Sequence, residues 1–327
     1  MGTHPTGRPL DEVLPRIGSL AQLVACESYV LSDGPAAASR RIRLTVGELD
    51  VELLPDRGLD IGAVRFAGTP VAWISPTGLP RRASGDDFGR TFGGGLLTTC
   101  GLRNYGPAAL DEGEAHPMHG RYSTLAATVR RVEADERGAA VEAEVVEAEL
   151  FGAHLRSRRR IEVPLGSASI RVEDVVTNLG ARPVAPMVLY HLNFGWPLVD
   201  EGTRLETGAA KVVPRDDAAR AGAWNLFPAL ADPYPEQVFL HELPEGPAEV
   251  RIARPGGFGA TVRFDTATLP GLVQWRVAEP GCAVLGIEPA SAPTILGRAD
   301  ARARGLLRPL APGESRRYAV EVAFAHP

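Results

Sequence analysis

The sequence predicts an all-β chain, a single-domain β sandwich with few and short helices. Three observations predict it. Short runs in which apolar and polar residues alternate recur along most of the chain, the period of a strand with one buried and one wetted face. Turn-forming residues separate the runs. Gly and Pro supply 36 and 28 of the 327 residues, a load that suits a loop-rich β fold and not a helical one.

Taken in order, residues 1–20 read as an N-terminal arm, and 21–327 as one domain with no composition break and no internal repeat. Met1 to Pro15 is polar and Pro-rich without the apolar centre of a signal peptide, so a cytoplasmic protein is expected. Arg41-Ile42-Arg43-Leu44-Thr45-Val46 alternates as a strand, and Leu54-Pro55-Asp56-Arg57-Gly58-Leu59-Asp60-Ile61-Gly62 sets turn residues between strand-like pieces. Residues 76–122 are rich in Gly, Pro and polar groups with little periodicity. An irregular stretch of that length inside a folded chain is expected to be functional or disordered. Gly93-Gly94-Gly95 running into Leu96-Leu97-Thr98-Thr99-Cys100 argues for order. From 126 onward strands dominate: Val141–Val145, Ile161–Val163, Ile170–Val175, Val250–Ile252, Thr261–Phe264 and Tyr318–Val322. Arg137-Gly138, Asn178-Leu179-Gly180, Pro255-Gly256-Gly257 and Pro312-Gly313 punctuate them.

Composition removes several classes. With 44% apolar and 23% charged residues, the chain can bury a core and does not read as disordered. A net charge of -5 gives no attraction for a phosphate backbone, so no nucleic-acid partner is expected. No apolar run approaches the roughly 20 residues of a membrane span. Cys26, Cys100 and Cys282 are odd in number and scattered, which implies neither a disulfide framework nor a zinc ribbon. Walker, Gly-x-Ser-x-Gly and His-Glu-x-x-His patterns are missing.

Histidines and one carboxylate carry the chemical interest. His4 and His326 lie at the termini, where solvation is expected, and His154 reads as a sheet-surface residue. His191 sits in Met187-Val188-Leu189-Tyr190-His191-Leu192-Asn193-Phe194-Gly195-Trp196, where an apolar strand delivers an imidazole into an aromatic end. Such a group is a hydrogen-bonded structural residue or an acid/base that titrates near neutrality. Glu288 closes the apolar strand Ala283-Val284-Leu285-Gly286-Ile287-Glu288-Pro289. A carboxylate delivered into apolar surroundings is either ion-paired or part of a site. His116-Pro117-Met118-His119 could in principle bind metal, but Pro117 and Gly120 place it on a loop.

Met118-His119-Gly120, Tyr190-His191-Leu192-Asn193-Phe194 and Leu285-Gly286-Ile287-Glu288-Pro289, in this order, resemble the galactose mutarotase (aldose 1-epimerase) superfamily. Stretches at 55–61, 94–102 and 119–121 are similar to those of a poorly characterised bacterial aldose-1-epimerase-like branch, and the likeness spans about residues 40–325.

The resemblance implies a β supersandwich that takes a sugar in a cleft on one sheet. It implies Glu288 as the base that removes the anomeric proton and His191 as the acid that protonates the ring oxygen, with His119 as a second imidazole near the ring oxygen. No cofactor is implied, because only protons move. The expected partner is a small-molecule sugar, with no nucleic acid and no membrane, and the chain is a monomer or homodimer. Arg103, Asn104 and Arg121, from the polar stretch, suit sugar hydroxyls or a carboxylate, or else anchor loops. Arg57 reaches the cleft or holds a turn beside Asp56 and Asp60. Glu236 and His241 fall where related enzymes place a substrate-binding acid, and Trp275 offers a face to sugar C–H groups or packs in the core. The family pattern lacks an arginine after the His-Gly pair, so Arg121 suggests a uronate, a sugar phosphate or a modified deoxysugar. Two other readings remain: a metal-dependent sugar isomerase using His116, His119, His191 and Glu288 as ligands, and a carbohydrate-binding protein without turnover.

Overall fold

The alternating runs pair into two large antiparallel sheets. A computed structural model describes residues 8–80 and 87–326; His4 and the first seven residues of the expected arm lie outside it. The first sheet has 11 strands. It begins with β1 (Val24–Val30), β2 (Arg40–Val46), β3 (Leu49–Leu54) and β4 (Asp60–Phe66), with β5 (Thr69–Pro70) paired to β4 off the main path. It continues through β6 (Leu97–Cys100), β13 (Leu189–Phe194), β20 (Cys282–Ala290), β19 (Gly271–Glu279), β16 (Gln237–Glu242) and β15 (Lys211–Pro214).

The second sheet has eight strands, in the order β14 (Arg204–Thr207), β17 (Pro247–Ala253), β18 (Gly259–Asp265), β21 (Ser315–Ala325), β12 (Ser169–Asn178), β11 (His154–Pro164), β10 (Gly138–Ala148) and β9 (Thr128–Asp135). A two-stranded ribbon, β7 (Ala109–Asp111) with β8 (Glu114–His116), lies in the irregular stretch. Among the described residues the longest helix is Gly297–Ala303, and no helix is long and apolar enough to cross a membrane. Leu10, Val13, Ile17 and Leu20, within the segment read as an arm, pack on the main core.

The inner faces of the two sheets make that core. Leu53, Ile61, Leu192, Leu272, Leu285 and Ile287 from the first sheet join Val141, Ile161, Val172, Val262 and Val320 from the second in one apolar cluster. Strands β13, β20 and β19 are buried along nearly their whole length. Their other face therefore is not simply wetted; loops cover it.

One charged group crosses the core. The Arg159 side chain is wholly enclosed. It donates to Asp60 Oδ1 at 2.9 Å, to Thr99 Oγ1 at 2.8 Å and to Asp174 Oδ2 at 2.7 Å, and lies over the Tyr122 ring at 4.8 Å. Tyr190 Oη and Ser157 Oγ donate to the same Asp174 carboxylate, at 2.7 and 2.9 Å. A buried ion group holds only when its hydrogen bonds are made, and removing one partner strands the rest. Arg159→Met is expected to cost about 3–5 kcal/mol of stability, read as a lower denaturant midpoint; an unchanged midpoint would mean that the network carries no weight.

Candidate active site

The period of two decides what β13, β20, β19 and β16 show on the face away from the core. On β13, Tyr190 and Leu192 point into the core, so Leu189 and His191 point outward. On β20, Leu285 and Ile287 face inward and Glu288 outward; on β19, Leu272 faces inward, and Val273 and Trp275 outward. The antiparallel register that pairs Leu189 with Ala290 and Leu192 with Ile287 sets His191 beside Glu288. The next strand sets Val273 opposite Glu288. Val238 pairs with Trp275 one strand further on, with Glu236 just ahead of β16 and Arg215 just after β15.

These side chains floor a cavity of about 380 Å³. That lies near the lower end of the ~300–1,000 Å³ range of small-molecule sites. Loops supply its walls. Phe88 and Phe92 come from a short turn capped by Asp87, whose carboxylate accepts from the Gly89 amide. Met118 and His119 come from the loop after β8, and Ile295 and Leu296 from the loop after β20.

His191 and Glu288 are 5% and 4% exposed, with His191 Nε2 3.3 Å from Glu288 Oε1. Among the described residues, His191 Nδ1 and Glu288 Oε1 have no hydrogen-bond partner. Burial penalises the charged form of each. It takes the His191 imidazole down to about 3, helped by the neighbouring His119, and pushes the Glu288 carboxyl up to about 8, helped by the charge of Glu236. Near neutral pH the Glu288 carboxyl thus keeps its proton and the His191 imidazole is neutral.

His119 stacks on Phe88 with ring centroids 4.6 Å apart and meets the His191 ring edge-on at 5.9 Å. Its Nδ1 accepts from the Gly106 amide at 3.5 Å. Gly120 behind it has φ near 72°, and a Cβ there would stand 2.4 Å from the carbonyl oxygens of Gly101 and Asn104. Only glycine closes this turn. Trp275 approaches His191 edge-on at 5.4 Å and donates from Nε1 to Glu236 Oε2 at 3.0 Å; Arg215 Nη1 donates to Glu236 Oε1 at 2.8 Å.

The structure brings His119, His191, Glu236, Trp275 and Glu288 into one cavity and leaves five expected residues outside it. Arg57 is buried and donates to the carbonyls of Pro80 and Thr91, bracing the segment that carries Phe88. Asn104 is buried; its amide donates to the carbonyls of Pro107 and Pro117 and its oxygen accepts from the Arg298 amide, so it ties the His119 loop together. Arg103 pairs with Glu114 at 2.6 Å, and Arg121 Nη2 donates to the Ala115 carbonyl at 3.4 Å. His241 sits five residues from Glu236, which puts it on the opposite strand face. There it meets Gln274 at 3.0 Å and the edge of Trp224.

His116 is a buried residue outside the cavity, so the four ligands of the metal-isomerase reading do not converge. Among the described residues no group of three or more His, Cys, Asp or Glu is placed to hold a metal ion. The sequence reading missed Arg215, Phe88, Phe92, Met118 and Leu296. A larger hollow, about 630 Å³, lies on the outer face of the second sheet among ion pairs such as Arg171–Glu321, with no such acid/base pair.

Two antiparallel sheets packed face to face make a β sandwich, with a buried imidazole and carboxyl facing each other on the outer side of one of them. The chain belongs to the family described as Domain of unknown function (DUF4432), whose model matches residues 36–324. No curated protein sequence matches it significantly. Among solved structures it is similar to a Klebsiella pneumoniae protein provisionally named an aldose 1-epimerase, with 22% identity, a TM-score of 0.86, and coverage of 97% of this chain and 86% of that one. It is also similar to a galactose mutarotase-like protein from Clostridium acetobutylicum (13% identity, TM-score 0.64, covering 94% and 100%). A galactose 1-epimerase from Lactobacillus acidophilus NCFM is a further match (14%, 0.63, covering 92% and 99%). At these identities the likeness is one of fold.

Gly286 lies on the outward face of β20, against Glu288 and Trp275. A Cβ there would stand 2.9 Å from Glu288 Oε1 and 3.2 Å from Trp275 Cβ. Gly286→Ala is expected to displace both side chains, costing about 1–3 kcal/mol of stability and changing the near-ultraviolet dichroism of the tryptophans. A variant with the parent's stability and spectrum would show that the two side chains have room to move.

Proposed function

We propose that this protein is an aldose 1-epimerase-type isomerase that interconverts the α and β anomers of a monosaccharide. The observation that carries the reading is the His191–Glu288 pair, 3.3 Å apart and buried in a cavity sized for one small molecule. Anomer exchange needs a proton removed at one oxygen of a carbon and a proton delivered at the other. A pair that shares one proton supplies both without drawing on solvent.

Moving that proton from the Glu288 carboxyl to the His191 imidazole makes a carboxylate and an imidazolium. The carboxylate takes the proton of the anomeric hydroxyl. As the C1–O bond to the ring oxygen breaks, its electrons stay on that oxygen, which takes the proton of His191, and C1 becomes an aldehyde. Rotation about C1–C2 and closure by the reverse steps give the other anomer and restore the pair. His119 is suited to hydrogen-bond near the ring oxygen, Glu236 to accept from ring hydroxyls, and Trp275 to pack on sugar C–H groups. No step calls for a cofactor.

Two outcomes test the reading. His191→Asn and Glu288→Gln are each expected to lower catalysed anomer exchange, measured by NMR above the spontaneous background, by about 10²–10⁴-fold. Exchange unchanged in both variants would end the proposal. The pH dependence of kcat/KM in the free enzyme follows from the shared proton. Below about 3 both groups are protonated and the base is lost; above about 8 the carboxyl gives up its proton and the acid is lost. Activity should be flat between these limits, and a steep change around pH 6 would contradict the pairing.

A further inference from the structure

We infer that the pocket selects a 6-deoxy aldose, a sugar with a methyl group where a hexose has a hydroxymethyl; this rests on the anomer-exchange reading above. The roles of the pair orient the ring. The sheet order is β6, β13, β20, β19, β16, β15. With the ring oxygen at His191 on β13 and the anomeric hydroxyl at Glu288 on β20, the ring atoms divide. C5 and its C6 substituent, bonded to the ring oxygen, fall toward the β6 side. C2 and its hydroxyl fall toward β19, β16 and β15.

The two sides differ in chemistry. Toward β15 stand Glu236 and Arg215, with the indole N–H of Trp275 fixing the carboxylate. These are groups for hydroxyls, set beside the apolar side chains of Val238 and Val273. On the other side the His119 loop is tied to Gly101, just after β6; Met118 and Phe88, which stacks on His119, stand there, with Ile295 beside Gly106 and with Met118 46% and Leu296 56% exposed at the mouth. Tyr105 also lines the cavity, but its hydroxyl is spent on the main chain of Ala292, donating at 2.7 Å and accepting at 3.1 Å. His119, the polar side chain among the described residues on that side, stacks its ring on Phe88 and approaches His191. A C6 hydroxyl set against this wall gives up water for few partners, a loss of the kind that a methyl group does not incur. Arg121, whose place in the sequence suggested a charged sugar, lies outside the cavity, and among the described residues that line it Arg215 is the cation, held by Glu236 and Asp216 on the side away from C6.

The experiment is NMR anomer exchange on matched pairs: D-galactose and D-fucose, D-glucose and 6-deoxy-D-glucose, L-mannose and L-rhamnose, with D-glucuronate and glucose 6-phosphate alongside. Saturation transfer from the protein to each sugar is recorded in parallel. The 6-deoxy member of at least one pair is expected to exceed its parent by about 10-fold or more in kcat/KM, the discrimination one small group gives in an apolar pocket. Leu296→Asn should narrow that ratio, a comparison within one variant that its stability does not move. Parent hexoses or charged sugars turned over as well as the 6-deoxy sugars in every pair, or a ratio untouched by Leu296→Asn, overturn the inference and leave anomer exchange standing. Absence of catalysed exchange with every sugar overturns the function reading. Saturation transfer then decides the pocket's preference: strong transfer to the C6 methyl, weakened by Leu296→Asn, supports it, and no transfer refutes it.

Discussion

Arg159 joins the two sheets through carboxylates that neither sheet could bury alone. Asp60 lies on β4 of the first sheet and Asp174 on β12 of the second; the guanidinium on β11 reaches both and also Thr99 on β6. Enclosing two carboxylates and one cation is costly unless each lone pair and N–H finds a partner. Thr99 N–H on Asp60, and Ser157 and Tyr190 hydroxyls on Asp174, meet that condition. The consequence for the site lies in Tyr190. Its hydroxyl is fixed to Asp174 on the core side of β13, and the next residue, on the opposite face, is His191. The network thereby pins register and tilt of the strand that carries the imidazole. A one-residue slip of β13 would put Tyr190 in the cavity and His191 in the core.

The same register makes the pair chemically useful. Adjacent strands hold His191 and Glu288 close, and the loop-built roof keeps both out of water. Proximity without burial would favour an ordinary imidazolium–carboxylate pair. Burial opposes both charges, driving the two proton affinities toward and past each other. What results is a neutral couple with one proton and two places for it, which suits a reaction whose net proton count is zero. Gly286 is part of the same arrangement, because it leaves room for Glu288 and Trp275 to lie over the strand.

Much of the fold was legible because period-two alternation is local. Runs at 41–46, 141–145, 170–175 and 318–322 fall inside β2, β10, β12 and β21. The strands of the site are harder to read this way, since Leu189–Phe194 is buried on both faces and shows no alternation. His191 and Glu288 came from a resemblance joined to residue chemistry. The sequence leaves Arg103, Asn104, Arg121 and Arg57 open between sugar contacts and the anchoring of loops or turns, because residue type does not separate a ligand-binding guanidinium from one that ties carbonyls together. For His241 the signal was available. Glu236 and His241 are an odd number of residues apart, so one straight strand cannot point both into the same cavity. Arg215, Phe88 and Leu296 carried no such signal, because loops deliver them and loop paths follow from packing rather than period.

Strands and loops contribute differently to the proposed function. The acid/base couple depends on the register of β13 and β20, which the hydrogen-bond ladder and the Tyr190–Asp174 contact hold. The wall facing it depends on the loops at 87–92, 104–107, 117–119 and 295–296, anchored by Arg57 and Asn104. Under the proposed function, substitution in those loops would change which sugar fits without touching proton transfer, while a change in ladder register would abolish transfer whatever the loops do. The sandwich itself is kept at 13–22% identity to these structural neighbours. The fold constrains where a proton can move, and the loops constrain what is held there while it does.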